Sequence, residues 1–414
     1  MPGNRIAYIG PDGNVYTIRP DGAGSRRLTD NDVRVGSAGG VLAQGQAQTR
    51  VIYAWPTWSP DGTTLAASRI AVEPNAISAS VITIDAESGN SRKIYDNVPN
   101  AGFVASGAPH YFYWSPDGNH LSFLASTVNA LEVLVTEVEE GGDPVGLIDG
   151  APLYYTWAPD SRSLLIHRGV ELFVSRAGAD GFGRPERLGA VGGAFFAPAI
   201  SRDGRTLAFA VQGGEEGALF TVDASTPSGA AEGMPVPGAR RVLPVEPFTA
   251  FKWSPTRDEV AVADRFDGRR ALFDRLSIAN QDGSGHRVLV DESLMAFFWS
   301  PNGDRIAYVT WNQESRTFSW KYVDRDGGEP VKLIEFLPSE DFETLISFFD
   351  QYGYSSSIWS PDSSQIVFSG TLGPASAGRN GTSPDTDKVY VINVEAGASP
   401  LEIATGRYAV WSWN

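Results

Sequence analysis

The chain has 414 residues, 42% of them hydrophobic and 20% charged, which suits a globular protein with ample apolar surface for a core and argues against disorder. A formal net charge of −16 without any long Lys/Arg cluster disfavours nucleic acid and anionic membrane surfaces as partners. With no Cys there is neither a disulfide framework nor a thiolate nucleophile, and no apolar run approaches the roughly 18 residues of a membrane span.

In chain order, the opening MPGNRIAYIG has no basic region followed by an apolar stretch, so the expectation is either a cytosolic protein or one whose export signal has been removed. Three short strand-like runs follow, RIAYI, NVYTI and SRRLT. A repeating unit then begins, anchored by Trp58-Ser59-Pro60-Asp61-Gly62 and Trp114-Ser115-Pro116-Asp117-Gly118. Its later copies are Trp157-Ala158-Pro159-Asp160, Ile200-Ser201-Arg202-Asp203-Gly204, Trp253-Ser254-Pro255, Trp299-Ser300-Pro301-Asn302-Gly303 and Trp359-Ser360-Pro361-Asp362. A reduced copy, Trp411-Ser412-Trp413-Asn414, closes the chain. The anchors are spaced by 56, 43, 43, 53, 46, 60 and 52 residues, near the one-blade period of a propeller.

Each anchor is followed by an alternating run such as HLSFLAS or RIAYVTW, a second such as VITID or VYVIN, a Gly-rich turn and a short third run. Period-two alternation with β-branched and aromatic residues, broken at Gly, Asp and Pro, predicts four short antiparallel strands per unit, designated a to d. The anchor itself reads as the a–b turn. Ser starts it, Pro fixes φ, Asp hydrogen-bonds its own backbone and Gly closes it, while the Trp buries a ring between units. Copies lacking the Gly or the Asp suit a repeated turn and not one catalytic constellation, so these Asp residues read as scaffold.

The N-terminal runs resemble strands b, c and d without an a, and the C-terminal RYAVWSW resembles an a without the rest. Pairing them predicts a single all-β domain over 1–414, an eight-bladed β-propeller of four-stranded antiparallel blades closed by both termini, which leaves no open sheet edge. The only helical pattern lies in a d-to-a insertion at 335–353, EFLPSEDFETLISFFDQYG, with Ser339 as N-cap, an apolar stripe of Phe342, Leu345, Ile346 and Phe349, and Gly353 as its end.

WSPDG-type repeats over nearly the whole chain resemble those of TolB-like propellers and, more distantly, the propeller of prolyl-oligopeptidase-class peptidases. The resemblance implies a binding platform at a bacterial cell envelope, hence a periplasmic or extracellular protein, with a cytoplasmic one as the alternative. Two departures from the resemblance are expected to matter: TolB carries an α/β domain before its blades and this sequence shows none there, and no Gly-x-Ser-x-Gly elbow follows the repeats, so peptidase activity is not expected.

Strand direction puts the a–b turns on the lower face and the long connections on the upper one, at 30–51, 96–108, 335–353 and 371–387; a Pro/Gly/Ala-rich loop at 224–239 lies below. Long loops on a rigid scaffold carry binding, so the upper face is the expected site. Aromatic residues at the upper ends of the a strands, Tyr53, Trp55, Tyr111, Tyr154, Phe195, Phe248 and Tyr354, line the channel or the interblade core. The candidate ligand or partner residues are Tyr53, Trp55, Tyr111, Tyr154, Phe348, Gln351, Tyr352 and Tyr354, in an aromatic pocket suited to a peptide or a saccharide.

Some WSPDG-type propellers resemble oligogalacturonate lyases, which hold a metal through a His cluster. Here His110 and His167 are expected at the top and His120 and His286 at the bottom, so no cluster of three forms, and neither a metal nor another cofactor is expected. No catalytic residue stands out. The function expected is a non-catalytic protein- or ligand-binding scaffold; the alternatives are a polysaccharide- or peptide-acting enzyme using the channel and a subunit of an extracellular homo-assembly.

Overall fold

A computed structural model describes residues 3–31, 50–73, 76–97, 108–126, 130–138, 143–179, 181–190, 197–211, 217–224, 237–246, 248–265, 272–373 and 387–414. Most of the long connections at 30–51, 96–108, 224–239 and 371–387, and Phe195 with them, lie outside these residues. The described strands form antiparallel sheets that follow one another around a central channel, most of them led by a strand that ends in the motif Trp. The second sheet runs Arg50–Trp58, Thr64–Glu73, Ala76–Asp85, Ser91–Asn97, and the third His110–Trp114, His120–Ser126, Leu131–Glu137, Val145–Gly150. A five-strand set led by Leu153–Trp157 and four-strand sets led by Ala199–Ile200, Phe248–Trp253 and Ala296–Trp299 continue the ring. This is a β-propeller.

The first sheet is assembled from both ends of the chain. Ile6–Ile9 pairs with Val15–Ile18 on one side and with Arg407–Trp411 on the other, in the register Ile6 to Trp411, Ala7 to Val410 and Tyr8 to Ala409. Ser412 Oγ accepts from Arg5 N at 3.0 Å, and Trp411 Nε1 donates to Asn4 Oδ1 at 2.7 Å. Since Ile6, Ala7, Tyr8 and Ile9 are all buried, the closing strand covers an edge that would otherwise present unpaired backbone N–H and C=O groups beside apolar side chains.

The last two repeats depart from the regular pattern. The strand Val331–Pro338 pairs not only with Thr317–Asp324 but also with Gln365–Leu372, which joins the sets on either side into one seven-stranded sheet. The helical insertion therefore starts after Pro338 and not at 335. The strand expected to end at Trp359 is reduced to two isolated bridges, Ser357 to Trp411 and Trp359 to Ile366.

The a–b turns form as their sequence predicts. Gly118 N donates to Ser115 O at 2.8 Å, Ser115 Oγ donates to Asp117 Oδ1 at 2.6 Å, and Asp117 Oδ1 accepts from Asn119 N at 3.0 Å. Gly118 has φ 76°; in the copies without Gly, Ser161 and Ser363 take the same left-handed conformation, at 58° and 63°. Each Ser makes a contact that Gly could not: Ser161 Oγ accepts from Asp117 N at 2.9 Å and Ser363 Oγ from Asn302 N at 3.0 Å, tying one turn to the preceding one. The Ser115 hydroxyl and the Asn119 amide, acting against partial burial, hold the Asp117 carboxyl below its usual range.

Candidate functional site: the plugged channel and its lower mouth

Glu340–Ser347 forms helix α1 and Phe349–Tyr352 forms helix α2, separated at Phe348 (φ −118°, ψ 37°). Ser339 occupies the N-cap position, but its hydroxyl pairs with Ser369 Oγ at 2.8 Å and caps nothing; burial against the neighbouring strand gave it a nearer partner. Gly353 ends α2, as expected, in a right-handed conformation. Phe342, Leu345, Ile346, Phe349 and Tyr352 are all buried, because the two helices drop into the channel and pack on the inner strands around it.

The contacts of this plug reach most of the ring. Tyr352 stacks on Trp55 at 5.2 Å, meets Tyr111 edge-on at 5.5 Å, and has its hydroxyl 3.1 Å from His110 Nδ1. Phe349 packs on Phe297 at 5.0 Å, Asp341 pairs with Arg407 at 3.1 Å, and Asp350 Oδ2 accepts from Ala197 N at 3.0 Å. Burial lowers the His110 pKa to about 4, so the ring is neutral at pH 7.

Three channel aromatics, Trp55, Tyr111 and Tyr408, have φ of 57°, 52° and 49°, a conformation bulky side chains seldom adopt. Each sits three residues before a motif Trp, at a bulge where its strand holds one residue more than its partner. Trp55 and Tyr111 are thereby set against Tyr352, and Tyr408 against Trp55 at 5.1 Å.

Of the residues proposed from the sequence, Trp55, Tyr111, Gln351 and Tyr352 come together at the plug, and Tyr154 is buried alongside, stacked on His167 at 6.2 Å. Tyr53 does not join them: its hydroxyl donates to Asp30 O at 3.3 Å, in the cleft between the first and second sheets. Phe348 stands 44% exposed. Tyr354 lies below the plug, stacked on Tyr113 at 6.3 Å.

Below the plug the channel opens into a cavity of about 390 Å³ on the a–b turn side. Trp253, Phe298, Trp299, Trp359 and Trp413 contribute rings to its wall, and Pro255, Pro301 and Pro361 of the turns form its lip. Tyr354 and Gly353 form part of its lining from the end of the plug, and Lys252 joins them. Lys252 is only 7% exposed, and its Nζ lies 4.3 Å from the centroid of the Tyr354 ring. Burial lowers its pKa to about 7 against an opposing pull from Asp350, whose own pKa burial raises to about 6.

Lys252 was not singled out from the sequence, although a signal was present. The residue before the motif Trp or Ile is Thr57, Tyr113, Thr156, Ala199, Phe298, Ile358 and Val410 in the other copies, so a Lys at this position is the one charged exception.

Among the described residues, no group of three His, Cys, Asp or Glu side chains is placed to hold a metal ion. No helix among them is long and apolar enough to cross a membrane.

No family model matches the chain, and no curated protein matches it. Among solved structures, a eukaryotic initiation factor aligns over 98% of this chain and 97% of its own at 12% identity with a TM-score of 0.52, a likeness that shows the fold. An oligogalacturonate lyase in complex with manganese aligns over 98% of this chain and 85% of its own at 14% identity and a TM-score of 0.46. TolB from Acinetobacter baumannii aligns at 20% identity and a TM-score of 0.36, over 70% of this chain; the alignment spans 65% of that TolB chain.

Proposed function

We propose that this protein is a non-catalytic binding propeller of eight blades, acting at a bacterial cell envelope, whose ligand enters the channel from the a–b turn side. The eight-blade reading takes the seven-stranded sheet as two blades joined through Val331–Pro338, with Ser357 and Trp359 supplying the remnant inner strand of the last. The binding reading rests on one observation above all. The plug fills the upper part of the channel with packed side chains, whereas the lower mouth keeps a cavity of about 390 Å³ lined by aromatic rings, within the size range of small-molecule sites. Envelope placement follows from the resemblance of the repeats to TolB-like propellers. The upper face, where Phe348 is 44% exposed on the plug, is a second surface for a protein partner.

The Trp side chains in the cavity wall supply the assay. A library of small molecules and short peptides is screened by quenching of Trp fluorescence, and hits are retested on Ser357→Trp, which adds a ring to the cavity wall. The expected result is binding to the native protein, no turnover of the bound compound, and loss of binding in a variant that melts normally. A folded Ser357→Trp variant that binds every hit as before would overturn the reading, and turnover of a hit would convert it to an enzyme.

A further inference from the structure

We infer that the cavity at the lower mouth of the channel binds a monocarboxylate carried on an apolar, ring-bearing body, with the Lys252 ammonium holding the carboxylate. The inference rests on the reading of this cavity as the ligand site and adds the chemistry of the ligand. A buried ammonium ordinarily has a carboxylate or several carbonyls around it, because desolvating an unpaired charge is costly. Lys252 Nζ has no such acceptor among the described residues; its contact is the Tyr354 ring, a cation–π arrangement that leaves the three N–H donors unused. The group is thus nine-tenths buried, lines the cavity, and lacks a hydrogen-bond acceptor that a ligand could bring.

The surroundings narrow the anion. The charged and titratable groups that face Lys252 are Asp350 from α2, Tyr354 just after the plug and, at the exposed rim, Arg202 from the neighbouring turn. Asp350 lies close enough to act electrostatically on the ammonium and would repel a doubly charged phosphate more strongly than a monoanion, and among the described residues that line the cavity there is no second buried cation or Gly-rich cradle for a phosphate. A single negative charge matches a single ammonium. The remaining wall includes Trp253, Trp299, Trp359 and Trp413, with proline rings at the lip, and offers flat faces for an aromatic or proline ring; Ser254, Ser356, Ser357 and Ser412 also line it, but their hydroxyls are already hydrogen-bonded within the protein, which leaves less for a sugar. The same chemistry is offered by a free aryl carboxylate and by the C-terminus of a peptide ending in an aromatic residue.

Isothermal titration with four probes separates these cases: 3-phenylpropionate, 3-phenylpropanamide, and the peptide Ala-Ala-Pro-Phe with a free or an amidated C-terminus. The expected result is that at least one acid binds at least tenfold more tightly than its amide, and that Lys252→Met removes this preference while melting no lower than the native protein. Tighter binding of the peptide acid identifies a chain terminus as the source, and tighter binding of phenylpropionate a free small molecule. Because the ammonium must be protonated to hold the anion, affinity for the acid should fall as pH rises above about 7, with proton uptake on binding visible as a buffer-dependent heat. Equal binding of acid and amide, or an acid preference that survives in Lys252→Met, overturns the inference while leaving the cavity as a site. Failure of all four probes to bind at millimolar concentration also overturns it, and the Ser357→Trp screen then decides the cavity reading separately.

Discussion

The indole N–H of Trp114 donates to the carbonyl oxygen of Thr57 at 3.1 Å, and Thr57 is the residue just before the motif Trp of the preceding sheet. The same relationship recurs around the ring: Trp58 donates to Val410, Trp157 to Tyr113, Trp299 to Lys252 and Trp359 to Phe298. Each acceptor directly precedes the motif Trp of its own sheet, so the hydrogen bond ties one inner strand to the next at a fixed height. Trp253 breaks the series. Its Nε1 is buried without a partner, at the one junction where the preceding copy carries Ile200 in place of Trp.

Trp114→Phe is therefore expected to cost about 1–2 kcal/mol, for the lost hydrogen bond and the smaller ring. Trp253→Phe should cost less, since it removes a buried donor that is already unsatisfied. Urea unfolding of both variants checks the order; equal costs would mean that the repeated bond adds nothing to packing.

Asp117→Ala is expected to lower stability by about 1 kcal/mol without touching ligand binding, because the carboxylate serves its own turn. Hydrogen bonds hold the folded pKa of Asp117 below the unfolded value, so its contribution is present above about pH 4 and is lost as pH falls through the folded pKa. The native protein and the variant should converge in melting temperature in that acid range. Loss of binding at unchanged stability would place Asp117 in a site.

Removal of residues 406–414 is expected to abolish cooperative unfolding. It strips the partner from Ile6–Ile9, whose residues are buried, and removes Val410 O, the acceptor of Trp58. Calorimetry decides, and an unchanged melting transition would show that the ring does not depend on its closing strand.

Lys252→Met should stabilise the ligand-free protein by roughly 1–3 kcal/mol, because it removes a charge buried without an acceptor. The unfolded chain keeps the Lys252 proton up to about 10.5 and the folded site releases it at about 7, so across that window the unfolded state binds more protons and native stability rises with pH. The variant should flatten that slope. Asp350 has the opposite effect: its folded pKa of about 6 lies above its usual value, so stability falls as pH rises through the window below 6, and Asp350→Asn should remove that fall. Melting curves from pH 4 to 10 test both signs.

Fold and turn chemistry were legible in the sequence because they are local and repeated. Eight copies of one anchor set the strand order, and Ser, Pro, Asp and Gly at fixed offsets build the same turn wherever they occur. The incomplete ends likewise implied the pairing of RIAYI with RYAVWSW, since each lacked what the other supplied, while the register of Ile6 with Trp411 came from the structure. The helix at 340–352 was readable from its apolar stripe, but not its destination: a stripe states that a face must be buried and leaves the partner open. Only the tertiary structure put Tyr352 between Trp55 and Tyr111, filled the upper channel and left Lys252 over Tyr354 at the lower mouth. Those residues lie up to some 300 positions apart in the chain, and their meeting depends on the ring's curvature and on bulges at Trp55 and Tyr111, which no period in the sequence encodes.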